Sequence, residues 1–186
     1  MEILRARNNQ KNRGGQMNER KKRRFHAINS NSSKPHLGGH FNTTHVDKGA
    51  LKWMKDKLQA KRLVDIGCGP GDQVLTARNL GYDAIGIDGD EELLKNEWSS
   101  IDDILIHDYT KGTPEIKGKY DVGWCVEFLE HVEEKYQKNY MKTFQQCKYI
   151  ICTAAEPGEP GWHHVNCQSK KYWDNIFNEY GYAKQL

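Results

Sequence analysis

The sequence is poor in the devices that hold small secreted domains together. Its five cysteines (Cys68, Cys125, Cys147, Cys152 and Cys167) are scattered, odd in number and without a Cys-x-x-Cys pair, which excludes a regular disulfide framework and a zinc ribbon. Reduced thiols are expected. No stretch approaches the roughly 18 to 20 successive apolar residues of a membrane span, and none has the shorter apolar centre of a signal peptide. The mean hydropathy is −0.89, and the expectation is a cytoplasmic chain with no membrane partner. At 186 residues with 37% hydrophobic content, there is material for one buried core but too little for two ordinary domains.

Apolar periodicity is also missing from the first 34 residues, where ten Lys and Arg face only Glu2 and Glu19. Such a segment cannot bury enough surface to offset its ordering entropy, so residues 1–34 are expected to be a disordered basic tail and residues 35–186 the folded domain. The tail carries a net +8 of the overall +3, leaving −5 for the remainder. Its cluster Arg20-Lys21-Lys22-Arg23-Arg24 suits phosphate backbone, a nuclear address, an acidic partner, or simply solvent. RNA therefore stays open as a partner through the tail, although the interleaved aromatics of a base-stacking surface are absent.

From residue 47 onward helical and strand patterns alternate. Ala50, Leu51, Trp53, Met54 and Leu58 fall at helical spacing in Asp47–Ala60, and a strand follows at Arg62–Ile66. Further helices are predicted over Gln73–Leu80, Glu91–Trp98, Glu133–Gln146 and Lys170–Tyr180, and strands over Ala84–Ile87, Ile104–Asp108, Tyr120–Val126 and Tyr149–Thr153. This order predicts an α/β fold, a Rossmann-like and mostly parallel sheet with helices on both faces and ligands at the carboxyl ends of its strands. Only Ala183–Leu186 remain for C-terminal strands, which are expected to be abbreviated or missing. The fifth strand would then be an exposed edge, calling for dimerisation, an unusual cover or truncation; the oligomeric state is not readable.

Within that frame, Leu63-Val64-Asp65-Ile66-Gly67-Cys68-Gly69-Pro70-Gly71 is an apolar strand running into three alternate glycines, and the next strand ends in Asp88. Glycine lets a ligand press against bare main chain, the unpaired N–H groups of the following helix attract an anion or carboxylate, and an acidic strand end accepts from both hydroxyls of a ribose. A nucleoside with a polar appendage is the ligand these parts fit. The alternate spacing differs from the Gly-x-Gly-x-x-Gly of dinucleotide folds.

The stretch resembles the Asp-x-Gly-x-Gly-x-Gly signature of class I S-adenosylmethionine-dependent methyltransferases, and the resemblance extends from about Val46 to Tyr182. It implies S-adenosylmethionine as cofactor, with Asp65 supporting the loop and Gly67, Cys68, Gly69, Pro70 and Gly71 around the methionine part. Asp88 would take the ribose hydroxyls, Asp108 the adenine amino group, and Tyr109 would pack beside the ring. For Cys68, a small residue fitting the loop is sufficient explanation, and Asp90 reads as the cap of the helix from Glu91.

The fourth strand bears on the reaction. The Asp/Asn-Pro-Pro-Tyr/Phe stretch of base-amine methyltransferases and the Pro-Cys nucleophile of pyrimidine-carbon enzymes are both missing. In their place stands Glu127-Phe128-Leu129-Glu130-His131-Val132, similar to the Glu-x-x-Glu-His-Val of small-molecule and sugar O-methyltransferases and of some RNA 2′-O-methyltransferases. The sulfonium supplies the electrophile, so alignment and a base remain for the protein. His131, His163 and His164 are the candidate bases, with Glu127 beside them. Glu127, Glu130, His131 and one of His163/His164 also form a donor set for a divalent metal; no metal is assigned on sequence alone. Trp162, Tyr172 and Trp173 are candidates for the acceptor floor. The expected activity is methyl transfer to a hydroxyl of a small molecule or sugar; RNA or nucleotide 2′-O-methylation and a catalytically inactive cofactor-binding protein are the alternatives.

Overall fold

A computed structural model describes residues 3–4, 34, 36–37, 39–95 and 99–184. The tail expected over residues 1–34, with its Arg20–Arg24 cluster, lies outside the described residues except for 3–4 and 34. Six strands form one sheet: β1 (Ile3–Leu4), β2 (Arg62–Ile66), β3 (Asp83–Asp88), β4 (Leu105–Ile106), β5 (Tyr120–Cys125) and β6 (Cys147–Cys152). Their order is β1-β6-β5-β2-β3-β4, and every pairing is parallel. Among the described residues four α-helices accompany them: α1 (Lys48–Lys57), α2 (Asp72–Asn79), α3 (Gln137–Phe144) and α4 (Lys170–Glu179).

Strand alternation divides the core between the two faces of the sheet. Leu63 and Val122 pack with Leu51 and Met54 of α1 and Val74 and Ala77 of α2. Val64 and Ile150 point the other way, into Tyr140 and Phe144 of α3 and Trp173 and Phe177 of α4. Helices therefore cover both faces, as the alternating pattern predicts. Local signals set the helix starts: the Asp47 carboxylate caps α1 by accepting from Ala50 N–H at 2.8 Å, and the Ser169 hydroxyl caps α4 by accepting from Tyr172 N–H.

Several elements are shorter than their sequence patterns. The helix expected over Glu91–Trp98 is a 3₁₀ turn over its described part, Glu91–Lys95, and residues 96–98 lie outside the described residues. The strand expected over Ile104–Asp108 keeps only Leu105 and Ile106, because Asp108 turns away to cap a 3₁₀ turn at Tyr109–Lys111. The helix expected over Glu133–Gln146 begins as a 3₁₀ turn, Glu134–Tyr136, before α3. Among the described residues no strand follows α4. The open edge of β6 is covered from the other end of the chain, where Ile3 and Leu4 pair in parallel with Ile150 and Ile151.

β2 is flanked by β3 on one side and β5 on the other, so the chain reverses its direction of progress across the sheet between them. Loops leaving the carboxyl ends of β2 and β5 diverge there and open a crevice, the usual ligand position in such sheets.

Candidate active site

A cleft of about 550 Å³ occupies this crevice. Its floor is the loop after β2. Gly67, Gly69 and Gly71 all have positive φ, at 75°, 51° and 89°, and Gly67 and Cys68 N–H groups donate to the Ile87 carbonyl at 2.8 and 3.1 Å. A Cβ on Gly67 would lie 2.5 Å from the Phe128 ring, and one on Gly71 2.6 Å from Ile101. The glycines thus serve close approach as well as backbone shape. Gly67, Cys68 and Gly69 line the cleft. Pro70 and Gly71, expected there too, do not: the Pro70 carbonyl accepts from Ser100 N–H at 2.7 Å, and Gly71 is turned onto Ile101. The Cys68 thiol packs over Gly86, where a Cβ would come within 2.6 Å of Sγ, and burial pushes its pKa well up. It is a neutral packing group.

Support of the loop falls to a different carboxylate from the one expected. Asp88 Oδ2 accepts from Gly69 N–H at 2.8 Å and Oδ1 from Asp90 N–H at 3.0 Å. Asp65, 3% exposed and lining the cleft, makes no hydrogen bond among the described residues. Burial, then the nearby Asp88 charge, raise its pKa. Asp108 Oδ1 accepts from the Thr110 N–H and hydroxyl. Although burial opposes ionisation there, these bonds and His36 together hold Asp108 below the ordinary carboxylate range. Tyr109 stands in the cleft wall, rooted by a hydroxyl bond to Thr143 and set edge-on to Phe128 and Tyr140. Asp90 caps the Glu91–Lys95 turn by accepting from Glu92 N–H, as expected.

Over this floor runs a strap, residues 36–37 and 39–45, to which the sequence patterns assign no role. His36 Nε2 meets Asp108 Oδ2 at 3.1 Å, and His40 Nε2 meets Asp90 Oδ2 at 3.2 Å. Because Asn42 N–H donates to His40 Nδ1, the His40 proton sits on Nε2 and points at Asp90. That hydrogen bond draws the Asp90 pKa down. Thr44 Oγ1 reaches the first turn of α2, accepting from Asp72 N–H at 3.4 Å. The available signal was histidine spacing: His36, His40 and His45 follow at four and five residues, and all three line the cleft.

The far wall carries the chemistry expected of β5. Glu127, at φ 54°, is a non-glycine residue in the left-handed region, the kind of strain that accumulates at functional sites. Its carboxylate accepts from the Thr153 hydroxyl at 2.6 Å. Glu130 is fully buried; Oε1 accepts from Ala155 N–H, while Oε2 has no hydrogen-bond partner among the described residues. Burial and the Glu127 charge push Glu130 up to about 8. The His131 and His164 rings meet at 5.0 Å, edge to face, and Glu130, His131 and His164 offer ligand atoms within 4.8 Å of one another. His164 Nδ1 faces the Glu159 carbonyl at 2.9 Å, so Nδ1 carries the proton and Nε2 the lone pair. Burial and His164 lower the pKa of His131.

The expected convergence of three histidines is thereby divided. His131 and His163 line the cleft, His164 stands behind His131, and His163 lies against His36 with ring centroids 6.2 Å apart. Burial, then His36, lower its pKa. Of the three aromatics considered for the acceptor floor, Trp173 is core, 7% exposed, and Tyr172 bonds Glu134 and Gln137. Trp162 remains; it is not a lining residue of the cleft but stands exposed beside Gly39, which is.

Residues 64–150 match a family model described as a methyltransferase domain. The chain is 32% identical over 120 residues to the ubiquinone biosynthesis O-methyltransferase of Paraburkholderia phymatum, an alignment covering 60% of this chain and 47% of that one. The chain spans about half the length, or less, of the first curated relatives it matches. An S-adenosylmethionine-dependent methyltransferase from Archaeoglobus fulgidus has the same fold, with TM-score 0.53 at 18% identity over 73% of this chain and 69% of that one. So does the magnesium protoporphyrin IX methyltransferase of Synechocystis with bound S-adenosylmethionine, with TM-score 0.53 at 16% identity over 73% and 66%.

Proposed function

We propose, for a chain that belongs to the class I S-adenosylmethionine-dependent methyltransferases, the transfer of a methyl group to a hydroxyl of a small molecule or sugar. The observation that carries this reading is that one cleft joins the glycine loop and Asp88 on one side to Glu127, His131 and His163 on the other. A nucleoside on the first wall would present its sulfonium to the second. Asp88, two of whose lone pairs are already spent on main chain, keeps two for a ribose diol. Asp65, without a partner, suits the ammonium group of the methionine part.

The partnerless Oε2 of buried Glu130 is the mark of an unfilled donor set, since a buried carboxylate oxygen without a partner is costly. Glu130, His131 and His164, whose ligand atoms cluster, are hard and borderline ligands that fit a divalent cation; Glu127, the fourth member of the expected set, lies outside that cluster with its carboxylate bonded to Thr153, and His164 already has the tautomer that leaves Nε2 free. Such an ion, when bound, supplies a lowered pKa for an alcohol held against it. The acceptor oxygen attacks the methyl carbon as the C–S bond breaks, giving a methyl ether and S-adenosylhomocysteine. The acceptor's proton goes to His163, which lines the cleft outside the ligand set and is biased to its neutral form.

Transfer of labelled methyl from S-adenosylmethionine to acceptor extracts, with recovery of an alkali-stable methyl ether, tests the reading. His163→Ala and His164→Ala should each lower turnover by about 100-fold or more, within the range of general acid–base contributions, while cofactor affinity stays within about twofold. Chelation should abolish turnover and added Mg²⁺ or Mn²⁺ restore it. Full turnover in chelator removes the metal from the reading, and full turnover in both variants removes the histidines.

A further inference from the structure

The electrostatics and shape of the cleft narrow the acceptor, on the premise of the hydroxyl-methylating reading above. Among the described residues lining the cleft there is no lysine or arginine. Its carboxylates are Asp88, Asp108, Glu127 and Glu133, with Asp65 buried behind Asp88 and pushed towards its neutral form. Lys135 stands beside the rim, but its ammonium is 2.7 Å from Glu133 and lies over the Tyr136 ring. Phosphate or carboxylate recognition calls for an arginine fork, a lysine or an unfilled helix N-terminus, and at the start of α2 the Asp72 N–H already donates to Thr44 Oγ1. An anionic acceptor would enter a field of its own sign.

At the rim, Trp162 keeps 41% of its surface exposed. It is held from two directions: Phe41 meets it edge-on at 5.9 Å and 81°, and its Cδ1 lies 3.3 Å from where a Gly39 Cβ would be, the same position that is 3.4 Å from His131 Cε1. The indole is thus fixed next to the reacting wall, with His163 as its chain neighbour. A rigid aromatic face beside a wall of hydrogen-bond acceptors suits a molecule with one C–H face and a hydroxyl-rich edge.

We propose that the acceptor is a neutral sugar that stacks on Trp162 and turns its hydroxyl edge towards Glu127 and His163. The probes are methyl glycosides of glucose, galactose and rhamnose, the corresponding sugar phosphates, catechol and a short single-stranded RNA, each offered with tritiated S-adenosylmethionine to the full chain. The expected result is label on the neutral glycosides in preference to the rest. Trp162→Ala should raise the sugar KM by about tenfold with kcat within about twofold, and Trp162→Phe should recover most of that loss. Cofactor affinity should be the same in all three proteins, which guards against misfolding. Preferential labelling of phosphates, catechol or RNA, an unchanged sugar KM in Trp162→Ala, or failure of the glycosides to alter tryptophan emission overturns the assignment. The two readings fail differently. Sugar binding that depends on Trp162 but yields no methyl ether leaves this assignment standing and removes the hydroxyl-transfer reading; a methyl ether formed on catechol or RNA does the reverse.

Discussion

Asp88→Asn separates two tasks that the structure gives to one side chain. An ionised carboxylate has about four lone-pair positions, and here one oxygen accepts from Gly69 N–H at 2.8 Å and the other from Asp90 N–H at 3.0 Å. Asparagine keeps a single acceptor oxygen. One of the two main-chain donors must then face an NH₂ group, so the unliganded protein should lose roughly 1.5 to 3 kcal/mol, the range for a hydrogen bond to a charged group. The loop would survive, because Gly67 and Cys68 are independently tied to Ile87. For the cofactor, one ribose hydroxyl keeps a charge-free acceptor and the other loses its partner. A further loss of about 1.5 to 3 kcal/mol in binding, or about 10- to 100-fold in Kd, is expected. Urea denaturation without ligand measures the first loss, and calorimetric titration with S-adenosylhomocysteine the second. Reduced stability with an unchanged Kd would refute the ribose role and leave Asp88 as loop scaffold only.

Gly67→Ala places a methyl 2.5 Å from Phe128 at φ 75°, and should cost roughly 2 to 5 kcal/mol from left-handed backbone and overpacking together. Gly158→Ala, at φ 89° with nothing within 4 Å, should cost only about 1 kcal/mol; equal urea midpoints for the two would contradict the close-approach argument. The His40–Asp90 contact predicts a pH dependence. Asp90 has its folded pKa depressed below the ordinary 3.8, chiefly by the His40 hydrogen bond, so its contribution is present above that value and is lost as pH falls through the lower folded value. His40→Ala should lower stability at neutral pH by roughly 1 kcal/mol, reduced from a full charged hydrogen bond by solvent screening. The deficit should shrink in acid, and denaturation curves that remain parallel down to acid pH would rule the contact out as a source of stability.

The strap explains how the two walls come to act as one site. Its histidines hold Asp108 and Asp90 on the nucleoside side, while Gly39 and Phe41 touch His131 and Trp162 on the other. A substitution in residues 36–45 should therefore be felt at both ends, through packing rather than through the reacting atoms.

Alternation of apolar runs determined the parallel sheet and its two covered faces, because a period of two or 3.6 is local information that any window of the chain contains. The glycine spacing and the acid at Asp88 were readable for the same reason: backbone freedom and a strand-end carboxylate are properties of single residues. Tertiary structure alone decided that Asp88 rather than Asp65 supports the loop, since that depends on β3 lying beside β2 at a fixed register. It alone separated His163 from the His131–His164 pair and folded a patternless segment across the cleft, because main-chain direction after a turn, such as the left-handed residue at His163, is set by contacts distant in sequence. The shortened β4 has the same origin: Asp108 serves capping and strap contacts in place of continuing a regular ladder.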